Sequence, residues 1–164
     1  MVIKMKYDLT VREVRESDAV LLRELAKKCP PLDLHTPYTY WVVAEYFGKC
    51  SFIVEKDGTP IGYIMCVLNR ETLLIWQIGI REEYRKQGIS AVLIDRVFQW
   101  YEANRNGRFD ITVSISNENQ DSFSAFSNYC ARRGYEMKPD SEIVLTDPDD
   151  PDFHEREILY RITK

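Results

Sequence analysis

The chain has 164 residues, of which 45% are hydrophobic and 29% charged, a mix that excludes a disordered polymer. Lys and Arg total 22 against 26 Asp and Glu, a net charge of −4 that argues against a nucleic-acid binder working through a broad basic face. The length fits one domain, 1–164, able to bury roughly 70% of its unfolded surface without a disulfide or metal staple.

Cys29, Cys50, Cys66 and Cys130 show neither C-x-x-C spacing nor pairing with a histidine, so reduced, buried thiols and no metal site are expected. Met1–Thr10 has no apolar signal core, and no segment reaches the roughly 18 apolar residues of a membrane span. A cytoplasmic protein with no membrane or nucleic-acid partner is the resulting expectation.

In chain order, alternation of Leu9 and Val11 with polar neighbours predicts a first strand over Tyr7–Val14. Ser17 and Asp18 can cap a helix carrying Leu21, Leu22, Leu25 and Ala26, which Pro30-Pro31 ends. Thr36-Pro37 supplies a second start, a hydroxyl N-cap followed by proline at the first helical position. That helix runs to about Phe47, with Gly48 as its left-handed stop. Ser51–Glu55 and Ile61–Leu68 are strands joined at Asp57-Gly58, a two-residue hairpin signal. Thr72–Ile80 is nearly all apolar and reads as a central strand covered on both faces.

A polar loop, Arg81–Gln87, then leads to Gly88 and a helix on which Ile89, Leu93, Val97 and Trp100 keep helical spacing. Phe109–Ile115 alternates as a strand, and Phe123, Phe126 and Tyr129 mark a helix closed by Gly134. Ile158–Ile162 is the last clear strand. The preceding Asp140–Glu157 holds eight acidic residues among eighteen, so order is expected there only around Ile143–Leu145. The order βααβββαβαββ describes an α/β (α+β) single domain with a mixed, mostly antiparallel central sheet flanked by helices.

The segment Ile78-Gly79-Ile80, followed by Arg85-Lys86-Gln87-Gly88-Ile89-Ser90, places a glycine where a buried strand gives way to a helix. Unpaired amides and a positive dipole end at such a start suit a pyrophosphate, and Gly88 lets the backbone approach it. Arg85 and Lys86 add positive charge. The spacing is neither the Walker nor the Rossmann pattern. It resembles the R/Q-x-x-G-x-G/A signature of the GNAT N-acetyltransferase superfamily, with Ser90 at the usual Gly or Ala position. The resemblance spans nearly the whole chain and implies acetyl-CoA as cofactor. It also implies a strand that splays before the motif, so that backbone groups of Ile78, Gly79 and Ile80 hold the pantetheine and polarise the thioester.

Three further segments resemble one branch, the L-2,4-diaminobutyrate acetyltransferases of ectoine biosynthesis. They are Leu32-Asp33-Leu34-His35-Thr36-Pro37-Tyr38, Ile75-Trp76-Gln77-Ile78-Gly79-Ile80, and His154-Glu155-Arg156-Glu157-Ile158-Leu159-Tyr160-Arg161. His35 stands where that branch usually has Asn, and the acidic Asp147–Asp152 looks like extra length. The resemblance implies a small-molecule amine substrate and a homodimer, for which the aromatic helix Tyr38–Phe47 is a plausible contact.

A diamino acid carries two ammonium groups and one carboxylate. Asp33, Glu155 and Glu157 can meet the former; Thr36, Tyr38, Trp76 and the second helix N-terminus can meet the latter. Local capping is an equal account of Asp33 and Thr36. An ammonium with the lysine reference pKa of about 10.4 is almost wholly protonated at pH 7, so His154, Glu155 and Asp33 are candidate proton acceptors. The superfamily pattern N-x-x-A-x-x-L-Y, which places a thiolate-assisting tyrosine, puts Phe126 there when registered on Asn119, with Ser122 at the small position. Registered on Asn117 it puts Ser124 there. Tyr129 lies one turn away and reads as core. A thiol of pKa about 8.5 can leave without acid help. Another amine (a polyamine, an aminoglycoside or a protein N-terminus) and a non-catalytic acyl-CoA-binding module are the alternative functions.

Overall fold

The computed structural model describes residues 8–164, apart from the side chain of His154. Tyr7, expected in the first strand, lies outside the described residues. The strands are β1 (Leu9–Glu13), β2 (Phe52–Lys56), β3 (Thr59–Asn69), β4 (Thr72–Ile80), β5 (Ile111–Ser116), β6 (Glu136–Asp147) and β7 (Asp150–Thr163). The helices are α1 (Ala19–Lys27), α2 (Pro37–Phe47), α3 (Ile89–Asn104) and α4 (Gln120–Arg133). Among the described residues these seven strands form one sheet in the order β1-β2-β3-β4-β5-β7-β6. Every neighbouring pair is antiparallel except β4 and β5, which run parallel across the α3 crossover.

Alternation along the strands divides the core into two layers. Phe52, Val54, Ile61, Ile64 and Ile75 face α3 and α4, where they meet Leu93, Val97, Phe126 and Tyr129. Ile53, Tyr63 and Met65 face α1 and α2, where they meet Leu22, Leu25, Tyr40 and Val43. The sheet is therefore the middle layer of a helix–sheet–helix sandwich.

Local signals act where expected. Thr36 accepts a hydrogen bond from the Thr39 amide and caps α2, with Pro37 in its first turn. Asp57 and Gly58 both have positive φ (49° and 79°), as a type I′ hairpin requires. Gly134 takes the left-handed conformation that stops α4.

Two expectations are corrected. Gly48 is not left-handed, since its φ is −60° and the chain turns there into a short 3₁₀ segment. A Cβ at Gly48 would lie 2.5 Å from the Val14 carbonyl oxygen, so close backbone approach is what demands glycine. The second correction concerns Asp140–Glu157, which is not a loop with a short strand. It forms most of the β6–β7 hairpin, paired in register from Glu136↔Thr163 to Asp147↔Asp150. All of its acidic residues but Glu157 stand on the exposed faces of that ribbon, where their charges need no burial.

Candidate functional site

The site begins with an irregularity in β4. Met65 of β3 faces Gln77 of β4, while the next residue, Cys66, faces Ile75, so Trp76 is an unmatched extra residue. On the other side of β4 the parallel ladder to β5 runs from Leu73↔Ile111 to Ile75↔Val113 and goes no further. The bulge and the end of the ladder coincide. Beyond it β5 continues along β7 to Ser116↔Glu157, and a gap opens between β4 and β5.

Backbone groups of β4 face that gap. The Arg81 amide donates to Ile61 O on β3 (2.9 Å), and strand alternation therefore turns the amides and carbonyls of Ile78 and Ile80 away from β3. Gly79 is held on the β3 side, opposite Tyr63. A Cβ there would lie 2.8 Å from the Tyr63 ring and 2.9 Å from Leu32, so glycine is required by packing. The Ile80 carbonyl is already taken by Arg85 Nε at 3.0 Å.

A cleft of about 340 Å³ follows the gap down to the start of α3. Ile78, Gly79, Ile80, Arg85, Lys86, Gly88, Ile89, Ser90 and Asn119 line it. Gly88 has φ +80° and open space where a Cβ would project, and Lys86 is also left-handed with φ 60°. These positive φ values turn the chain sharply into α3, whose first amides and dipole end face the cleft. The donors and added cations fit the diphosphate of acetyl-CoA, and the narrow strand gap fits its pantetheine. Arg85 does more than add charge, because its second arm donates to Pro30 O at 2.5 Å and ties the loop to the α1–α2 connection.

Two expected cofactor contacts lie elsewhere. Gln87 is exposed and outside the cleft lining, with its amide donating to Glu83 O at 3.4 Å. Phe126 is 1% exposed and packs in the core, outside the cleft lining. Asn119 lines the cleft while accepting from the Ser122 amide as the N-cap of α4. Tyr129 is core, its hydroxyl donating to Asp95 of α3 at 2.9 Å.

Asp121, Ser122, Ala125 and Asn128 of α4 also line the cleft and were missed. Their three- and four-residue spacing is a helical face that points to them. Cys29, Pro30, Pro31 and Leu32 close the cleft from the α1–α2 side. Burial pushes the Cys29 thiol up to about 11, which keeps it protonated and unsuited to covalent catalysis.

Of the residues expected to meet the amine substrate, two stand on β7 beside the gap. Glu155 and Glu157 are two apart on β7 and share a face. Burial pushes the Glu157 carboxyl above its usual range; the Ser114 hydroxyl, donating at 3.1 Å, pulls it back, and the charges of Asp33 and Glu155 push it up again. Asp33 is thus brought within electrostatic reach of Glu157 from the far side of the fold. Thr36 caps α2, and Trp76 is half-buried with its ring 4.9 Å from His35. Tyr38 is 70% exposed and packs at a tilt against Trp41, 5.4 Å between centroids, on the outer surface of α2. The backbone of His154 belongs to β7, opposite Thr146, but its side chain lies outside the described residues.

A splayed parallel pair, a bulge at its apex and an anion-binding helix start define a coenzyme-A-dependent acyltransferase site, and the chain belongs to the acetyltransferase (GNAT) family, whose model matches residues 19–126. Among its relatives, the L-2,4-diaminobutyric acid acetyltransferase of Streptomyces coelicolor is 32% identical over 94% of this chain and 92% of its own. The enzyme of that name from Oceanobacillus iheyensis is 29% identical over 99% and 93%. The diaminobutyrate acetyltransferase EctA of Paenibacillus lautus, solved with L-2,4-diaminobutyric acid and coenzyme A, superposes with TM-score 0.77. It is 26% identical, with 95% of each chain covered. Ard1 of Thermoplasma volcanium, 15% identical with TM-score 0.71, shares the fold.

The raised Glu157 carboxyl has a stability consequence. The folded chain holds that proton more tightly than the unfolded chain, so stability falls as pH rises above the ordinary carboxyl range. Glu157→Gln is therefore expected to raise the melting midpoint at pH 7 and to leave it unchanged at acid pH, where the wild-type carboxyl is protonated in both states. Thermal denaturation across pH checks this; a lower midpoint at pH 7 would show that the Ser114 bond outweighs burial.

Proposed function

We propose that the protein moves the acetyl group of acetyl-CoA to the 4-amino group of L-2,4-diaminobutyrate by direct attack in a ternary complex. One observation carries this reading: where the β4–β5 ladder ends, Glu157 of β7 accepts from Ser114 of β5, Gln77 of β4 holds the Asp33 backbone, and the charges of Asp33 and Glu155 bear on Glu157, a set of carboxylates suited to an amine that arrives charged. The similarity to diaminobutyrate acetyltransferases supports the same substrate.

When bound, acetyl-CoA supplies the activated acetyl group. Amides of Ile78 and Ile80 are the groups of β4 that can donate to the thioester oxygen as it becomes an oxyanion, an effect worth about 3–4 kcal/mol per donor. The carboxylates hold the ammonium groups. One amine loses a proton to Glu157, Glu155, Asp33 or His154, and the burial that raises the Glu157 carboxyl above its ordinary range makes it a better base than a free carboxylate. The nitrogen lone pair forms the new C–N bond, and collapse of the tetrahedral intermediate breaks the C–S bond to release thiolate. No tyrosine of α4 lines the cleft, and a thiol of pKa about 8.5 can leave as thiolate without one.

Thiol release on offering acetyl-CoA with diaminobutyrate, ornithine, lysine or spermidine tests the reading. Diaminobutyrate is expected to give the highest kcat/KM. Preference for spermidine would favour a polyamine enzyme, and binding of acetyl-CoA without turnover of any amine would favour a non-catalytic module. Gly88→Glu is expected to raise the KM for acetyl-CoA about tenfold or more, since it sets a carboxylate against the anion-binding helix start. An unchanged KM would place the cofactor elsewhere.

We also propose a cytoplasmic homodimer. The four unpaired cysteines suit a reducing compartment, and the exposed Trp41, Tyr38 and Tyr46 of α2 offer an apolar surface for a second copy. Among the described residues no helix is long and apolar enough to cross a membrane. Sedimentation is expected to return twice the 19.3 kDa chain mass; a monomer at micromolar concentration would refute the dimer.

A further inference from the structure

Gln77 is a polar side chain in the otherwise apolar run Leu73–Ile80, and it is only 9% exposed. A buried amide is costly unless both its ends are satisfied. Both are. The Tyr63 hydroxyl donates to Gln77 Oε1 at 2.6 Å, and Gln77 Nε2 donates to the Asp33 carbonyl at 3.1 Å. Tyr63 is fully buried, and burial drives its ionisation far above neutral pH, so it remains a donor throughout the working range. With the phenol occupying the oxygen end of the amide, the nitrogen end is presented to Asp33.

The residues between α1 and α2 have no helix or strand, and three of their carbonyls are held by side chains. Arg85 takes Pro30 O, Gln77 takes Asp33 O, and Arg23 takes His35 O at 3.3 Å. Gln77 alone reaches the residue whose carboxylate shares the acidic cluster. The bulge at Trp76 makes this possible: it turns both Trp76 and Gln77 toward the α1–α2 side.

We infer that Gln77, oriented by Tyr63, is a positioning residue for the amine site, fixing the backbone at Asp33 so that its carboxylate faces Glu157 across the mouth of the strand gap. The inference rests on the proposed amine chemistry for its kinetic consequence and on geometry alone for its structural one. A purely structural Gln77 would affect stability and both substrates alike.

Two readouts on the full chain test it. The first is KM for diaminobutyrate against KM for acetyl-CoA. The second is hydrogen exchange at the Leu32 and His35 amides in free protein, which are bonded to Cys29 O and Tyr40 Oη. Gln77→Leu is expected to raise the amine KM about tenfold, the size of one lost buried hydrogen bond, with acetyl-CoA KM within about twofold. Exchange at both amides is expected to accelerate. Gln77→Glu keeps the acceptor for Tyr63 but has no donor for Asp33, and is expected to behave like Gln77→Leu at neutral pH. Tyr63→Phe is expected to shift both readouts in the same direction by less, and it decides the matter if the Gln77 variants do not fold. Unchanged exchange with an unchanged amine KM, or equal rises in both KM values, would overturn the inference. If the wild type does not turn over diaminobutyrate, the substrate reading fails. Faster exchange in the variants would still uphold the positioning role, and unchanged exchange would refute it.

Discussion

A strand that pairs on both sides cannot expose its backbone, and a strand that exposes its backbone must lose a partner. The bulge at Trp76 resolves this constraint in β4. Up to Ile75 the strand is the fully paired centre of the sheet; beyond it, pairing persists only with β3. Amides that would otherwise be spent on β5 are left directed into a cleft. The separation costs little because α3 and α4 cover the core beneath, and because β5 stays paired with β7 along its other edge. The site is thus made from the sheet itself, with few side chains needed at the reacting bond.

The two ends of the cleft have opposite character. At the α3 end, helix amides, Lys86 and the dipole favour anions. At the β7 end, burial and the charges of Asp33 and Glu155 raise the affinity of the Glu157 carboxyl for a proton. A cofactor carrying phosphates and a substrate carrying ammonium groups are thereby sorted to opposite sides of the thioester. Arg85 belongs to neither end; bonded to Ile80 O and Pro30 O, it holds the floor of the cleft to its wall.

Much of the fold is legible in the sequence because its signals are local. Thr36-Pro37, Asp57-Gly58 and Gly134 each act through their own dihedrals and nearest amides, and the structure follows them. Gly48 was misread because its need for glycine comes from Val14, far along the chain. The β6–β7 hairpin was obscured for a related reason. Acidic residues read as a solvated loop, while the register with β7 that orders them is a tertiary fact. In the site, Gly88 and its neighbours follow from a contiguous motif. Phe126 falls in the core because the register of α4 turns position 126 inward, which spacing from Asn119 does not reveal. The meeting of Asp33 with Glu157 has no local signal. Gln77 had one, an amide alone among apolar neighbours.

The long hairpin also leaves β6 as a bare margin of the sheet, with a row of backbone groups that could recruit a stray strand. Its composition resists that fate. Pro139 offers no amide hydrogen, the register slips between Pro139 and Ser141, and Lys138, Asp140 and Glu142 stand exposed along it. The acidity that disguised this segment as a loop thus serves solubility, deterring edge-to-edge aggregation where the molecule is most open to it.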